Sequence, residues 1–465
     1  MIITNSFIIL FSFSVLLVGT FLARISTYEK ISRISSLIAL VLGLFGIISL
    51  SFRYFSNIES DFLMLKFKNW DIFILDSYAL IMALTSIIIA TLIVIYSFDY
   101  MSHYENQSIY YFYVTLFVTS MLGLTFSGNL IIMYICWELT SICSWQLIGF
   151  YRGNVHLSKA NKSFLMTLLG SALMLVGICI LYVEYGSANI YELKNKQISD
   201  TTALFLLSGM IAKSAQFPFH VWLPEAGVAP TPVTALLHAA VLVKIGIYSF
   251  GRIFNFTFEI SQRFQEFTLV IFLSTILIAG FMALIETDIK RILAYSTISQ
   301  LSYVFLGFVI NITDSIKGAI FYILSHALSK AGLFLSAGIV EHNVNERDIS
   351  KLGGLIQTMP VTSICFLICS FSIIGFPIFS GFWGKFFILK GALETQRIFV
   401  AFVAVAGSIL TLLYLMRLYN SVFLGKKKFE IKEKTLSMVL VIVLLTLFSV
   451  VVGLFPEMIL KLIKI

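Results

Sequence analysis

Apolar residues in this chain fall into discrete blocks of about twenty, the length at which a helix crosses a hydrocarbon layer about 30 Å thick. Fourteen such blocks start near Ile3, Ile34, Asp76, Ile109, Leu130, Lys162, Thr202, Thr231, Phe267, Arg291, Ser315, Met359, Phe399 and Thr435. A soluble fold of 465 residues needs a polar coat, and 59% hydrophobic with 12% charged residues leaves too little material for one. The pattern is not that of the alternating ten-residue strands of a membrane barrel. An all-α integral membrane protein of about fourteen transmembrane helices is therefore predicted, multi-pass in the cell inner (plasma) membrane and surrounded by lipid.

Connections between the blocks are short, the longest running from about Arg53 to Leu75. None could house a nucleotide-binding or redox domain, so soluble machinery belongs to other chains and other membrane subunits are the expected partners. No phosphate-cradling glycine loop opens a helix, and no cofactor is expected. The first block lacks a small-residue cleavage site and leads directly into a second, which predicts a retained helix and not a signal peptide. An even span count puts both termini on one side. Fifteen basic residues sort to the face of Arg24, Arg152, Lys290, Lys351 and the Lys426-Lys427-Lys428 run, and twelve to the terminal face. The positive-inside rule makes the first face cytoplasmic and accounts for a formal charge of +8 without nucleic-acid binding.

Five basic residues remain inside spans: Lys213, Lys244, Lys330, Lys385 and Arg417. Glu138 is the one acidic residue well inside a span. A charge at membrane depth costs about 2.5–3.5 kcal/mol on insertion scales, so four mid-span lysines call for a use. Lysine suits a proton relay because desolvation or a nearby cation brings its two protonation states close in energy, which arginine does not permit. Arg417 reads as a snorkelling side chain.

Two of the lysines sit beside interruptions. Pro218 follows Lys213 within Ile211-Ala212-Lys213-Ser214-Ala215-Gln216-Phe217-Pro218, and Gly375-Phe376-Pro377 through Gly381-Phe382-Trp383-Gly384-Lys385 repeats the theme five spans later. Such breaks occur at membrane depth where they line a wet cavity, although a packing kink gives the same local pattern. The five-span offset suggests a duplication: a three-helix segment at 1–108, a five-helix unit at 109–255, a second, inverted unit at 266–423, and a closing loop and helix at 424–465.

His326 and Lys330 are four residues apart and share a helical face, whereas His238 precedes Lys244 by six and does not. Histidine passes protons near neutral pH, and a core histidine bonded to a carbonyl is the alternative. His220, beyond Pro218, is placed for the mouth of a water path. The cysteines Cys136, Cys143, Cys179, Cys365 and Cys369 lack metal-ligand spacing and read as core residues, so no metal site is expected.

Ile135-Cys136-Trp137-Glu138-Leu139, the run from Ala212-Lys213 to Pro224-Glu225-Ala226, and Ala229-Pro230-Thr231-Pro232-Val233 through His238 to Lys244 resemble the antiporter-like proton-translocating subunits of respiratory complex I. Asp288 to Gln300 and Gly381-Phe382-Trp383-Gly384-Lys385 extend the resemblance, which covers roughly residues 76–390. Mrp-type cation/proton antiporters and membrane-bound hydrogenases share that fold. The resemblance implies two inverted five-helix repeats, broken helices 7 and 12, and a polar central axis. It further implies a Glu138–Lys213 pair, Lys244 as a connecting site, His326 and Lys330 on the eleventh span, and Lys385 as the far-side site, with His220 and His238 as further relay candidates. The chain departs from one complex I member by carrying lysine at 385 where that member has glutamate, and from the most distal subunit by ending soon after the fourteenth span.

These features lead to a proton-conducting membrane subunit of an energy-coupling complex. A Na+/H+ antiporter component, or a proton-driven subunit energising a non-redox transporter such as one for inorganic carbon, is the alternative. Lysine cannot ligate sodium, which prefers oxygen donors, so all three hosts would use these residues for protons.

Overall fold

The computed structural model describes residues 2–26, 28–56, 63–67, 69–430, 433 and 436–464. Its chain is almost entirely helical. The first six helices are α1 (Ile2–Ile25), α2 (Glu29–Ser56), α3 (Ser77–Tyr100), α4 (Gln107–Thr125), α5 (Leu130–Ile148) and α6 (Asn154–Tyr185). A small antiparallel hairpin, β1 (Leu63–Phe67) with β2 (Trp70–Leu75), joins α2 to α3. Twelve helical segments among the described residues are long and apolar enough to cross a membrane.

The seventh and twelfth blocks are each divided. Block seven is α7 (Asp200–Lys213), a non-helical stretch, and the short α8 (Trp222–Glu225). Block twelve is α14 (Pro360–Ile374) and α15 (Ser380–Glu394). Each break holds a non-glycine residue in the left-handed region, Ala215 at φ 50° and Ile378 at φ 81°, strain that persists only where the surroundings fix it. The carbonyls that the breaks free are used: Trp222 Nε1 donates to Ala212 O (2.9 Å) and Gln216 Nε2 to Ser214 O (2.9 Å). At membrane depth there is no solvent to satisfy them otherwise.

Block eight, Thr231–Asn255, is irregular in a way its apolar pattern does not announce. It runs through α9 (Thr231–Ala235), a π turn at Leu236–Ala240, α10 (Leu242–Phe250) and a second π turn at Gly251–Asn255. The remaining helices are α11 (Gln262–Ile285), α12 (Ile289–Ile310), α13 (Thr313–Val344), α16 (Ile398–Phe423), α17 (Leu436–Leu454) and the short α18 (Pro456–Leu460). Thr435, the expected start of the last block, lies outside the described residues.

Helix boundaries follow local chemistry. Asp76, Asn129, Ser199, Ser261 and Asp288 each stand at an N-cap and accept a backbone N–H of the first turn. The apolar stretches of the Thr231–Asn255 span and of α12 are buried throughout and that of α13 nearly so, whereas most of α1, α6 and α17 is open at the periphery. Large apolar side chains such as Phe45 of α2, Val183 of α6 and Phe399 of α16 stand exposed at the periphery, as lipid contact requires. The buried spans are the ones that carry Lys244 and Lys330.

Small residues let the central helices touch. At Gly246 an added Cβ would lie 2.3 Å from Met210 O, whereas at Gly227 the nearest atom, Lys290 Cβ, would be 3.6 Å away. Gly246→Ala is expected to destabilise the fold by about 1–3 kcal/mol through overpacking, and Gly227→Ala to leave it unchanged. Thermal unfolding of the two variants in detergent checks this.

Candidate functional site

Lys213, Lys244 and Lys330 are fully buried and Lys385 is 4% exposed, so none of the four faces lipid. Four different segments supply them. An ammonium at this depth must find its acceptors in the protein, and each does so differently.

Lys213 ends α7 and donates to Ser141 Oγ on α5 (2.6 Å), with its ammonium 5.7 Å from the Trp137 ring. Glu138 lies one turn from Ser141 on the same helix. Its carboxylate and the Lys213 ammonium do not approach within the 4.0 Å of an ion pair. Glu138 Oε1 is buried without a hydrogen-bond partner among the described residues. The pair implied by the family resemblance is therefore open in this structure, because Ser141 occupies the ammonium instead.

Lys244 follows the first π turn, and its Nζ lies 3.4 Å from His326 Nδ1. His326 Nε2 has no partner among the described residues, and neither ring nitrogen of His238 has one. His238 stacks on Phe334 at 4.5 Å. The alternative of a core histidine tied to a carbonyl describes neither residue, and both keep a nitrogen available for proton exchange.

From Lys330 a hydrogen-bonded chain leads toward Lys385. Lys330 Nζ donates to Ser296 Oγ (2.6 Å), which also accepts from Tyr414 Oη (2.9 Å). Gln300 Nε2 donates to Thr411 Oγ1 (3.0 Å) and Tyr414 Oη (3.4 Å), and Gln300 Oε1 accepts from Tyr322 Oη (2.6 Å). The Lys385 ammonium lies 5.8 Å from the Tyr322 ring and 4.6 Å from that of Tyr303. It donates to Ile373 O (2.9 Å) and Ile374 O (3.2 Å), the carbonyls freed where α14 ends. Spacing alone gave no sign of Ser296, Gln300, Tyr322 or Tyr414, which are ordinary polar residues joined only by the fold.

His220 is half-buried beside exposed Phe217, and among the described residues no hydrogen bond joins it to the four lysines. Arg417 donates to Leu284 O and Glu286 O at the end of α11, where a cation complements the helix dipole. Among the cysteines, Cys143, Cys365 and Cys369 are buried, but Cys179 is exposed, correcting its reading as a core residue. Two cations assigned to the faces are also buried: Arg252, 3% exposed and paired with Asp76, and Lys290, 1% exposed and 2.7 Å from Glu341. Lys244, Tyr248 and Arg252 recur every four residues, a pattern that marks Arg252 as facing inward.

A polytopic helical bundle with interrupted spans and a buried file of lysines and histidines defines the class of antiporter-like membrane subunits. More narrowly, the chain belongs to the family described as NADH:quinone oxidoreductase/Mrp antiporter, transmembrane, which matches residues 127–411. It is 37% identical over 401 residues to Na(+)/H(+) antiporter subunit A1 of Staphylococcus saprophyticus, covering 78% of this chain and 50% of that protein. NADH-quinone oxidoreductase subunit L of Escherichia coli is 35% identical over 387 residues, covering 80% of this chain and 62% of that protein. The chain thus spans about half to three fifths of the length of these relatives. Among solved structures, a chain of the Mrp complex from Dietzia sp. DQ12-45-1b superposes with a TM-score of 0.91 over 99% of this chain and 96% of that one, at 23% identity. A chain of an archaeal membrane-bound sulfane sulfur reductase gives 0.89 over the same shares at 20% identity. At such identities the likeness is one of fold.

Tyr414→Phe removes the hydroxyl that links Ser296 to Gln300 while keeping the ring. Ion flux through the assembled protein is expected to fall about tenfold, the factor that 1.4 kcal/mol makes in a rate. Flux in vesicles normalised to assembled protein checks this.

Proposed function

We propose that this chain conducts protons through Glu138, Lys213, Lys244, His326, Lys330 and Lys385 as the antiporter-like subunit of an energy-coupling membrane complex. The observation that carries the reading is the run of hydrogen bonds from Lys330 through Ser296, Tyr414, Gln300 and Tyr322, ending beside Lys385. The Ser296, Tyr414 and Tyr322 hydroxyls exchange protons along hydrogen bonds while the Gln300 carboxamide holds the two tyrosines in line, and ammonium groups supply no oxygen ligands for sodium. His238 stands next to this axis, and His220 at its periphery.

The duplication is part of the reading. Helices α5 and α6 begin at Leu130 and Asn154, and α12 and α13 begin at Ile289 and Thr313, the same distance apart. The paired helices α6 and α13 are both 32 residues long and both end on a left-handed residue, Gly186 and Asn345. Isolated bridges Asn129–Asn189 and Asp288–Asp348 stand at matching positions. This correspondence supports two five-helix units at 109–255 and 266–423, the second inverted because each holds an odd number of spans. With the 1–108 and 424–465 segments they make a fourteen-span subunit whose basic loops face the cytoplasm and whose termini lie outside.

Other membrane subunits are its partners. The relatives named as Na(+)/H(+) antiporter subunits favour an antiporter host as the second reading, in which sodium crosses elsewhere in the assembly.

The switch that drives the axis is the Glu138–Lys213 contact. Two unit charges about 4 Å apart attract by roughly 4 kcal/mol at an effective dielectric of 20, so closing the pair holds the proton on Lys213. The open arrangement, with Lys213 on Ser141, releases it toward Lys244. Glu138→Gln and Lys213→Met are expected to leave the complex assembled and to cut proton uptake by at least about tenfold. Proton uptake into vesicles, normalised to assembled complex, is the measurement; unchanged normalised uptake in Glu138→Gln would sink the relay.

A further inference from the structure

At the end of the bundle opposite the termini, α3, α9, α12 and α13 converge on Glu341. Its Oε2 lies 2.7 Å from Lys290 Nζ and accepts from Thr231 Oγ1 (2.8 Å); Tyr100 Oη donates to the same threonine (3.2 Å). Arg347 pairs with Oε1 and donates to Gly227 O (3.4 Å). Lys290 also donates to Ala229 O (3.3 Å). On the outer side, the His342 ring stacks on that of His103 at 6.2 Å and lies 5.7 Å from Tyr100. The charges of Asp99 and Asp288 reach this cluster as well.

Depth gives the cluster its meaning. Glu341 is three helical turns beyond Lys330 on α13, about 16 Å at 1.5 Å per residue. His238 lies two turns inward from Thr231 on the same span. Neither of its ring nitrogens has a partner among the described residues, so His238 is free to accept a proton passed inward from this end of the span.

We propose that Glu341 and Lys290 form the loading site through which protons reach the axis, with His103 and His342 at its mouth and His238 as the next acceptor inward. This rests on the proton-conducting reading above. A proton taken up by the Glu341 carboxylate breaks its ion pair with Lys290. The released ammonium gives up a proton inward, which His238 accepts on a lone-pair nitrogen, and the neutral lysine takes the proton held by Glu341, which restores the pair. One proton has entered and one has moved inward. A buried ion pair is not needed for stability, since apolar replacements of both partners together are often as stable.

That last point supplies the test. Glu341→Gln alone strands Lys290, whereas the carboxamide oxygen can still accept from Arg347 or Thr231, so the informative variant is Glu341→Gln with Lys290→Met, measured in vesicles bearing the whole complex. Assembly near normal with normalised proton uptake reduced at least about tenfold is expected; uptake at the level of the unaltered protein overturns the loading site. If Glu138→Gln abolishes uptake in the same preparation, only the loading site falls and the relay stands; if neither change has an effect, the relay itself fails. Should the buried double variant not assemble, His103→Gln with His342→Gln decides. Uptake is expected to fall at about pH 8, where proton capture is scarce, and to be normal at about pH 6, and equal uptake to the unaltered protein at both overturns the proposal.

Discussion

Inside a hydrocarbon layer every carbonyl, amide and ammonium must be satisfied by the protein itself, and much of this fold follows from that requirement. Each broken span frees carbonyls, and the freed carbonyls find donors: Trp222 takes Ala212 O, and Lys385 takes Ile373 O and Ile374 O. The second case joins architecture to chemistry. A lysine without such acceptors would hold its proton less readily, and a break without such a donor would leave carbonyls unsatisfied. Helix ends and charged side chains therefore stabilise each other at the same depth.

The same requirement explains why the axis is crowded with neutral hydrogen-bonding groups. Ser141, Ser296, Gln300, Tyr322 and Tyr414 are all buried: the two serines accept directly from lysines, Tyr414 reaches Lys330 through Ser296, and Gln300 joins Tyr414 to Tyr322, whose ring lies beside Lys385. Serine is suited to this place because its hydroxyl accepts from a charged lysine and donates to a neutral one. The open Glu138–Lys213 contact fits this view, since the serine keeps the ammonium satisfied when the carboxylate is not at hand.

Much of the architecture was legible in the sequence because block length and proline or glycine interruption are local signals. Spans seven and twelve divide beside Lys213 and Lys385 as the Pro218 and Gly375-Phe376-Pro377 patterns suggest. Helix ends were less legible: α6 starts at Asn154 and not near Lys162, because its first turns are polar and lie outside the apolar block. The π turns of the Thr231–Asn255 span left no mark in hydropathy, which is insensitive to one extra residue per turn. Burial of Lys290 was hidden because its partner Glu341 is distant in sequence, and only the fold brings the two together. The Lys330 to Tyr322 chain was invisible for the same reason.

A π turn stores one more residue than an α turn of the same rise, in effect a dislocation within the helix. When a dislocation passes along a helix, the side chains it crosses turn by about 100°, one residue's share of a 3.6-residue turn, while the two ends stay where they are. The Thr231–Asn255 span holds two of them, at Leu236–Ala240 and Gly251–Asn255, on either side of Lys244. Its ends are fixed, by Thr231 on Glu341 and by Asn255 on Phe308 O. The direction in which Lys244 points is thus set by where the two turns stand along the span and not by the anchorage of its ends.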